Sequence, residues 1–133
     1  SMNLLRIIHY PPINKKAPDS AIRAAAHEDI NLITLLLPSS QPGLQILSID
    51  DEWIEIKCDP SWLVINTGDM LNECSENYYP STTHQVINPK GEESKISRYT
   101  IPLFIHPRDE VKLSEQHTAR SFLDERLQEI GLK

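Results

Sequence analysis

Prolines fix what this chain can fold into. The apolar run in "LLRIIHYPP" (4–12) closes on a double proline, "NLITLLLP" (31–38) stops at Pro38, and "KISRYTIPLFIHP" (95–107) ends at Pro107. Proline lacks the amide donor that both helices and sheet ladders need, so regular structure seldom runs through it. Ten prolines against four glycines therefore divide the chain into many short elements with hard stops. Runs of this length, rich in Ile, Leu, Val, Thr and Tyr, read as strands.

Read in order, "LLRIIHYPP" is a strand, "INKKAPDS" a polar connection, and "NLITLLLP" a buried strand followed by the turn "SSQPG". "AIRAAAHEDI" has the alanine content of a helix, although its length and context favour a strand at least as much. "LQILSIDDEWIEIKCDP" shows two β-rich runs around "DDE", which is a hairpin pattern. "SWLVINTGDML" is a further strand that meets a corner at Gly68-Asp69. "YYPSTTHQVINP" carries β-formers between prolines, "KGEESK" is an exposed charged loop, and "KISRYTIPLFIHP" closes the β region. Seven or eight short strands at close spacing predict a mainly β sandwich or barrel. The end differs: "TARSFLDERLQEIGLK" puts Phe122, Leu123, Leu127 and Ile130 on one helical stripe. Thr118 or Ser121 is placed to cap that helix, Gly131 stands at its C-terminal end, and the expected position is against the outside of the sheet.

The 133 residues make one domain with enough chain for a core. A net charge of -6 argues against binding nucleic acid through a broad basic surface. It leaves room for a local positive spot that captures an anion. Cys58 and Cys74 fit neither a metal nor a redox spacing, so reduced thiols in a cytoplasm are expected. No apolar run reaches the ~18–20 residues that span a bilayer, and no secretory leader is visible. Ser1-Met2 reads as a cloning scar ahead of an internal start.

The chemistry concentrates at "HEDINLITLLL". Residues i and i+2 of a strand face the same way, so His27 and Asp29 are expected to point together into the core. Polar groups are costly there unless something satisfies them. Among the other histidines, His84 in "STTHQVI" has the best strand setting. His9 lies beside a strand end, His106 precedes a proline, and His117 precedes the terminal helix. Two imidazoles and one carboxylate on adjacent strands make the facial triad of non-haem Fe(II) oxygenases, which leaves three coordination positions open. On the last long strand, Arg98 and Thr100 of "SRYT" also face one way. A guanidinium fork beside a hydroxyl suits the distal carboxylate of a dicarboxylic acid. The plainer alternative is a surface arginine paired with Glu92 or Glu93.

The ordered set of motifs resembles the isopenicillin N synthase-like branch of the Fe(II)/2-oxoglutarate-dependent dioxygenases. They are His-x-Asp before a Leu-Thr-Leu-Leu-type strand, Pro-Gly-Leu-Gln, the hairpin Trp, Asn-x-Gly-Asp-x-Leu, Ser-Thr-x-His-x-Val and Arg-x-Thr, across about Leu4 to Pro107. The resemblance implies a double-stranded β-helix (a cupin-like jelly roll) with a C-terminal α-helix, and iron at its open end. Residue by residue, it implies His27, Asp29 and His84 as iron ligands. It implies Arg98 and Thr100 as the seat of the 2-oxoglutarate C5 carboxylate, with Tyr10 assisting. Asn66, Gly68 and Asp69 match a corner to which it assigns no chemistry. Oxidative decarboxylation of 2-oxoglutarate with dioxygen would drive hydroxylation, desaturation or cyclisation of a small molecule; some relatives use ascorbate or substrate electrons in place of 2-oxoglutarate.

Three departures are visible. Thr100 replaces the usual Ser, Gln85 replaces the usual Arg after the distal His, and the long region that family members carry ahead of Leu4 has no counterpart. The expected layout is a start at 1–3, the catalytic core at 4–107, and a linker with helix at 108–133. Surface left uncovered by the missing region predicts a homodimer. Two readings compete with the leading one: an oxidase of the same fold that takes no 2-oxoglutarate, and a non-catalytic metal- or partner-binding module. A zinc hydrolase stands further off, because Glu28 on the opposite face is badly aimed as a general base.

Overall fold

The computed structural model describes residues 3–13, 18, 20–57 and 59–132. Ser1, Met2, Cys58 and most of the connection at 14–19 lie outside the described residues, so the readings made on them are not addressed. Ten strands and two α-helices are described: β1 (Leu4–Leu5), β2 (Ile8–Tyr10), β3 (Ala24–His27), β4 (Ile33–Leu36), β5 (Leu44–Leu47), β6 (Trp53–Glu55), β7 (Val64–Thr67), α1 (Asp69–Cys74), β8 (His84–Val86), β9 (Arg98–Thr100), β10 (Pro102–Ile105) and α2 (Ala119–Glu129). Every strand pair is antiparallel, in sheets ordered β1-β10-β4-β7 and β3-β8-β5-β6 with a β2-β9 ribbon. The hairpin around "DDE" forms as β5–β6, its turn carried by Asp51 at a φ of 59°.

Residues from all three sheets line one interior cavity of about 90 Å³. Strand alternation decides which side chains enter it. In the first sheet, the register rows Phe104–Thr34–Asn66 and Pro102–Leu36–Val64 face inward and line the cavity. The intervening row, Leu5–Leu103–Leu35–Ile65, lies on the outer face, and its end members Leu5 and Ile65 are exposed.

Three local expectations change. The closing strand is two strands: β9 pairs with β2, whereas β10 pairs with β1 and β4. Pro102 brings no amide to a ladder, so the chain changes sheet there. Asp29 is not on a strand, because β3 ends at His27. The Gly68-Asp69 corner opens α1, a helix that the apolar pattern of "VINTGDML" conceals. Amides at its start donate to the loop before β4: Asp69 N to Asp29 O (2.8 Å) and Met70 N to Asn31 O (3.1 Å). The first-turn donors that a helix leaves orphaned are thus satisfied by the segment that carries Asp29.

The buried apolar cluster of Met70, Leu113, Ala119 and Phe122, with Ile30, Leu32 and Leu123 packed on it, lies between α1, α2 and that loop. Here α2 departs from the expected place on the outside of the sheet. Thr118 caps it, accepting from Ser121 N, while the Ser121 hydroxyl accepts from Thr118 N. At the other end Gly131 takes a φ of 73°, Leu132 N donates to Leu127 O (2.8 Å), and Gly131 N donates to Gln128 O (3.0 Å). These are the paired bonds of a Schellman cap. Ile130 falls at this cap and is 58% exposed, so it leaves the apolar stripe.

Charged contacts tie α2 and its linker to α1. The His117 ring faces Glu73 through Nδ1 (3.1 Å) and Glu125 through Nε2 (3.0 Å). Glu73 and then Glu125 hold the imidazole above its ordinary pKa. The Ser114 hydroxyl, and after it His117, hold Glu73 below the usual carboxylate range. A raised histidine stabilises the fold fully below its unfolded pKa of ~6.5 and loses that contribution as pH rises through the folded value. Glu73 has the opposite sign, so its contribution fades as pH falls through its lowered folded value. Melting temperature is therefore expected to fall as pH is raised from ~6 through neutrality. A His117→Gln variant is expected to lose that alkaline slope in scanning calorimetry.

Candidate metal and co-substrate site

Register alone brings the two histidines together: His27 on β3 pairs directly with His84 on β8. Their ring centroids are 4.3 Å apart and the planes are inclined by 53°. His27 Nδ1 contacts Ala25 O at 2.7 Å, and His84 Nδ1 contacts Thr82 O at 2.8 Å. A carbonyl only accepts, so each Nδ1 carries the hydrogen and each neutral ring offers its Nε2 lone pair. Both Nε2 atoms turn to the Asp29 carboxylate, 4.0 and 3.9 Å from Oδ1. These separations are too long for hydrogen bonds. They fall within the span of one divalent ion, whose donors lie ~2.0–2.2 Å from it. One ligand atom from each residue falls within 4.8 Å of the others, and no other such group occurs among the described residues. His9 instead stacks on Tyr99, and His117 is taken by Glu73 and Glu125.

Asp29 is 8% exposed, and its two oxygens have different work. Oδ2 accepts from Thr34 Oγ1 (2.6 Å) and Asn66 Nδ2 (2.9 Å), while Oδ1 faces the imidazoles. Thr34 and Asn66 are register partners on β4 and β7. The Thr34 hydroxyl is itself bound by Asn31 Nδ2 at 2.9 Å, which directs its hydrogen to Asp29. Asn31, Thr34 and Asn66 were not read as functional residues from the sequence. The available signal was the strand parity that makes Thr34 and Asn66 face the side to which Asp29 must turn.

The second group lies on the β2–β9 ribbon. Tyr10 pairs with Arg98, and Ile8 with Thr100. Arg98 is 1% exposed, so the surface-arginine alternative fails; Glu92 pairs with Lys95 instead. The Arg98 Nε donates to Gln41 O (3.1 Å), Nη2 donates to Ser39 Oγ (2.9 Å), and the guanidinium lies 5.4 Å from the Tyr10 ring centroid. Those bonds fix the fork in place. Thr100 is also buried, and its hydroxyl has no hydrogen-bond partner among the described residues. A buried hydroxyl without a partner is costly, which is what a seat for an absent polar ligand looks like. His27, Asp29, His84, Arg98, Thr100 and Tyr10 all line the same cavity. Gln85 and Glu28 do not line it: Gln85 Nε2 bonds Gln45 Oε1 (2.8 Å), and Glu28 accepts from Thr83 (2.7 Å).

Two imidazoles and one carboxylate around one cation position, beside a buried guanidinium and hydroxyl, define the donor set of a mononuclear non-haem metal site with an anion seat. By its match to the family model described as the 2OG-Fe(II) oxygenase superfamily over residues 1–107, the chain belongs to that superfamily. Over 101 residues it is 34% identical to a 2-oxoglutarate-Fe(II) type oxidoreductase of Aspergillus fumigatus, covering 75% of this chain and 29% of that relative. A flavonol synthase/flavanone 3-hydroxylase of Arabidopsis thaliana is 33% identical over 104 residues, covering 78% and 29%. Among solved structures, a Shewanella oneidensis protein described only in general terms, as an oxygenase, superposes with a TM-score of 0.86 at 52% identity. The match covers 98% of this chain and 48% of that one. A full-length Neurospora crassa protein in complex with alpha-KG and thymine gives 0.84 at 29% identity, over 96% and 44%. The fold is the jelly roll of these oxygenases. The chain spans less than a third of those two curated relatives and just under half of those two solved chains.

Gly68 shows how tightly the Asp29 loop is held. Its φ of -115° suits any residue, but an added Cβ would overlap Asn31 O and approach Asp29 O to 2.8 Å. Gly68→Ala is expected to cost roughly 1–3 kcal/mol of stability, read by denaturant unfolding, and to weaken divalent-metal binding in the same protein.

Proposed function

We propose that the chain is the catalytic core of an Fe(II)- and 2-oxoglutarate-dependent oxidoreductase acting on a small molecule. The observation that carries this reading is the convergence of His27, Asp29 and His84 in a cavity that also holds buried Arg98 and Thr100. The three metal donors would hold Fe(II) and leave positions for the co-substrate and dioxygen. Bound iron and 2-oxoglutarate would supply the oxidising chemistry; the protein's part is to bind, orient and exclude water. Arg98 gives a distal carboxylate charge-assisted donors, Thr100 offers a hydroxyl that is unpartnered among the described residues, and the Tyr10 ring packs over the guanidinium. Leu36, Leu44, Val86 and Phe104 supply an apolar wall that excludes water.

The neighbours bind small molecules: the Neurospora crassa protein is described with thymine, and another solved oxygenase with 2OG, Fe and JA. A small-molecule substrate for this chain is inferred from those relatives and from the size of the cavity. Residues 4–107 are taken as the core and 108–133 as a linker and helix that buttress it. Among the described residues no helix is long and apolar enough to cross a membrane, and the exposed free thiol of Cys74 fits the cytoplasmic location expected from the sequence. Pairing of two copies through the aliphatic outer row of the first sheet belongs to the same reading; light scattering that finds a monomer at both high and low concentration would remove it.

Adding 2-oxoglutarate anaerobically to the Fe(II)-loaded protein is expected to produce a weak visible charge-transfer band. Iron bound without that band would favour the oxidase that takes no 2-oxoglutarate. Arg98→Met is expected to weaken 2-oxoglutarate binding by at least about 100-fold, since two charge-assisted bonds at ~1.5–3 kcal/mol each sum to ~3 kcal/mol or more. Its Fe(II) affinity, read by calorimetry, is expected to stay unchanged.

A further inference from the structure

We propose that Asn66, with Thr34, is a positioning residue for the metal. It holds Asp29 Oδ2 so that the carboxylate can offer only Oδ1 to the ion. The inference rests on the metal site of the preceding section and goes beyond its ligand set.

A carboxylate beside a divalent ion can bind through one oxygen or two. With two it would occupy a fourth coordination position, one of those that the co-substrate and dioxygen need. Nothing in an isolated aspartate chooses between these modes. Here Oδ2 already receives two hydrogen bonds, from Thr34 Oγ1 (2.6 Å) and Asn66 Nδ2 (2.9 Å). For Asp29 to turn both oxygens to the metal, both bonds would have to break inside a site where Asp29 and Thr34 are buried. Each lost bond would leave a donor unsatisfied there.

The two donors do not move independently. Thr34 and Asn66 face each other across the β4–β7 ladder, and Asn31 fixes the Thr34 hydroxyl from behind. Two residues beyond Asn66, Gly68 packs against the backbone of Asp29 and Asn31, and its amide donates to Leu32 O at 3.0 Å. The segment "NTGD" therefore meets the Asp29 loop twice, through a side chain at Asn66 and through backbone at Gly68 and Asp69. The sequence pattern assigned this segment only a corner.

The test measures metal binding by Co(II), without turnover, because its visible spectrum reports coordination number. Wild-type protein is expected to bind one Co(II). Asn66→Leu is expected to lose about 10- to 100-fold in Co(II) affinity, the usual cost of removing a partner of a metal ligand. Its visible bands are also expected to shift as Asp29 gains freedom to bind through both oxygens. Should Asn66→Leu fail to fold, Thr34→Val removes the other donor at nearly constant shape, and Thr34→Ser restores the hydroxyl. The first is expected to move affinity and spectrum together, and the second to return both to wild-type values. Leu103→Ala, on the outer row of the first sheet and outside the cavity lining, is expected to lower the melting temperature without moving the spectrum. If Asn66→Leu and Thr34→Val bind Co(II) with wild-type affinity and an unchanged spectrum, the positioning role is overturned. If the wild-type protein itself binds no metal, the metal site falls instead.

Discussion

A carboxylate withdrawn from water, as Asp29 is, is costly unless its oxygens are compensated locally. In this chain the compensation comes from opposite directions. Thr34 and Asn66 donate to one oxygen, and the other faces the Nε2 atoms of His27 and His84, which with it frame a position for a cation. This arrangement uses elements far apart in sequence: β3 and β8 for the histidines, β4 and β7 for the donors, and α1 for the backbone of the loop. The antiparallel register that joins them is therefore what the site rests on. A one-residue slip in β3–β8 or β4–β7 would turn an inward side chain outward and dismantle it.

The distribution of apolar burial follows from the same constraint. Barrel interiors are normally filled by side chains, but here the interior carries Arg98, Thr100 and the metal-site residues around a cavity. The buried apolar cluster forms elsewhere, between α1, α2 and residues 30–32. It lies directly against the loop that holds Asp29. The C-terminal segment, beyond the residues matched by the family model, supplies Leu113, Ala119 and Phe122 to it. Packing in that cluster and order in the metal loop are thus one problem for this chain.

Much of this was legible in the sequence because it depends on period-2 alternation and proline stops. The β class, the hairpin around "DDE" and the strand setting of His84 follow from alternation and residue chemistry, and parity puts Arg98 and Thr100 on one face without saying whether that face is buried. What stayed hidden depends on tertiary closure. Asp29 lies beyond the end of β3, so the i, i+2 argument placed it beside His27 by the wrong geometry: the α1 amides, not strand pleating, hold that loop. Met70 and Leu71 follow Ile65, the last apolar residue of the strand, after only four residues, so they read as its continuation, which hid α1. Pro102 marks a change of sheet, and a pattern that alternates on both sides of it reads as one strand. Asn66 was read only as part of a corner because strand parity fixes the side it faces but not the acceptor it meets 37 residues away.

The hollow barrel has an evolutionary corollary. Residues that point into it cannot be selected for tighter packing, since every added methyl takes space from the guests. Thr100, which lines the cavity and is one methyl larger than a serine, already takes up some of that space. Improvement in robustness is therefore confined to the periphery, to caps, turns and the helix pair, while the middle stays free to change its guest.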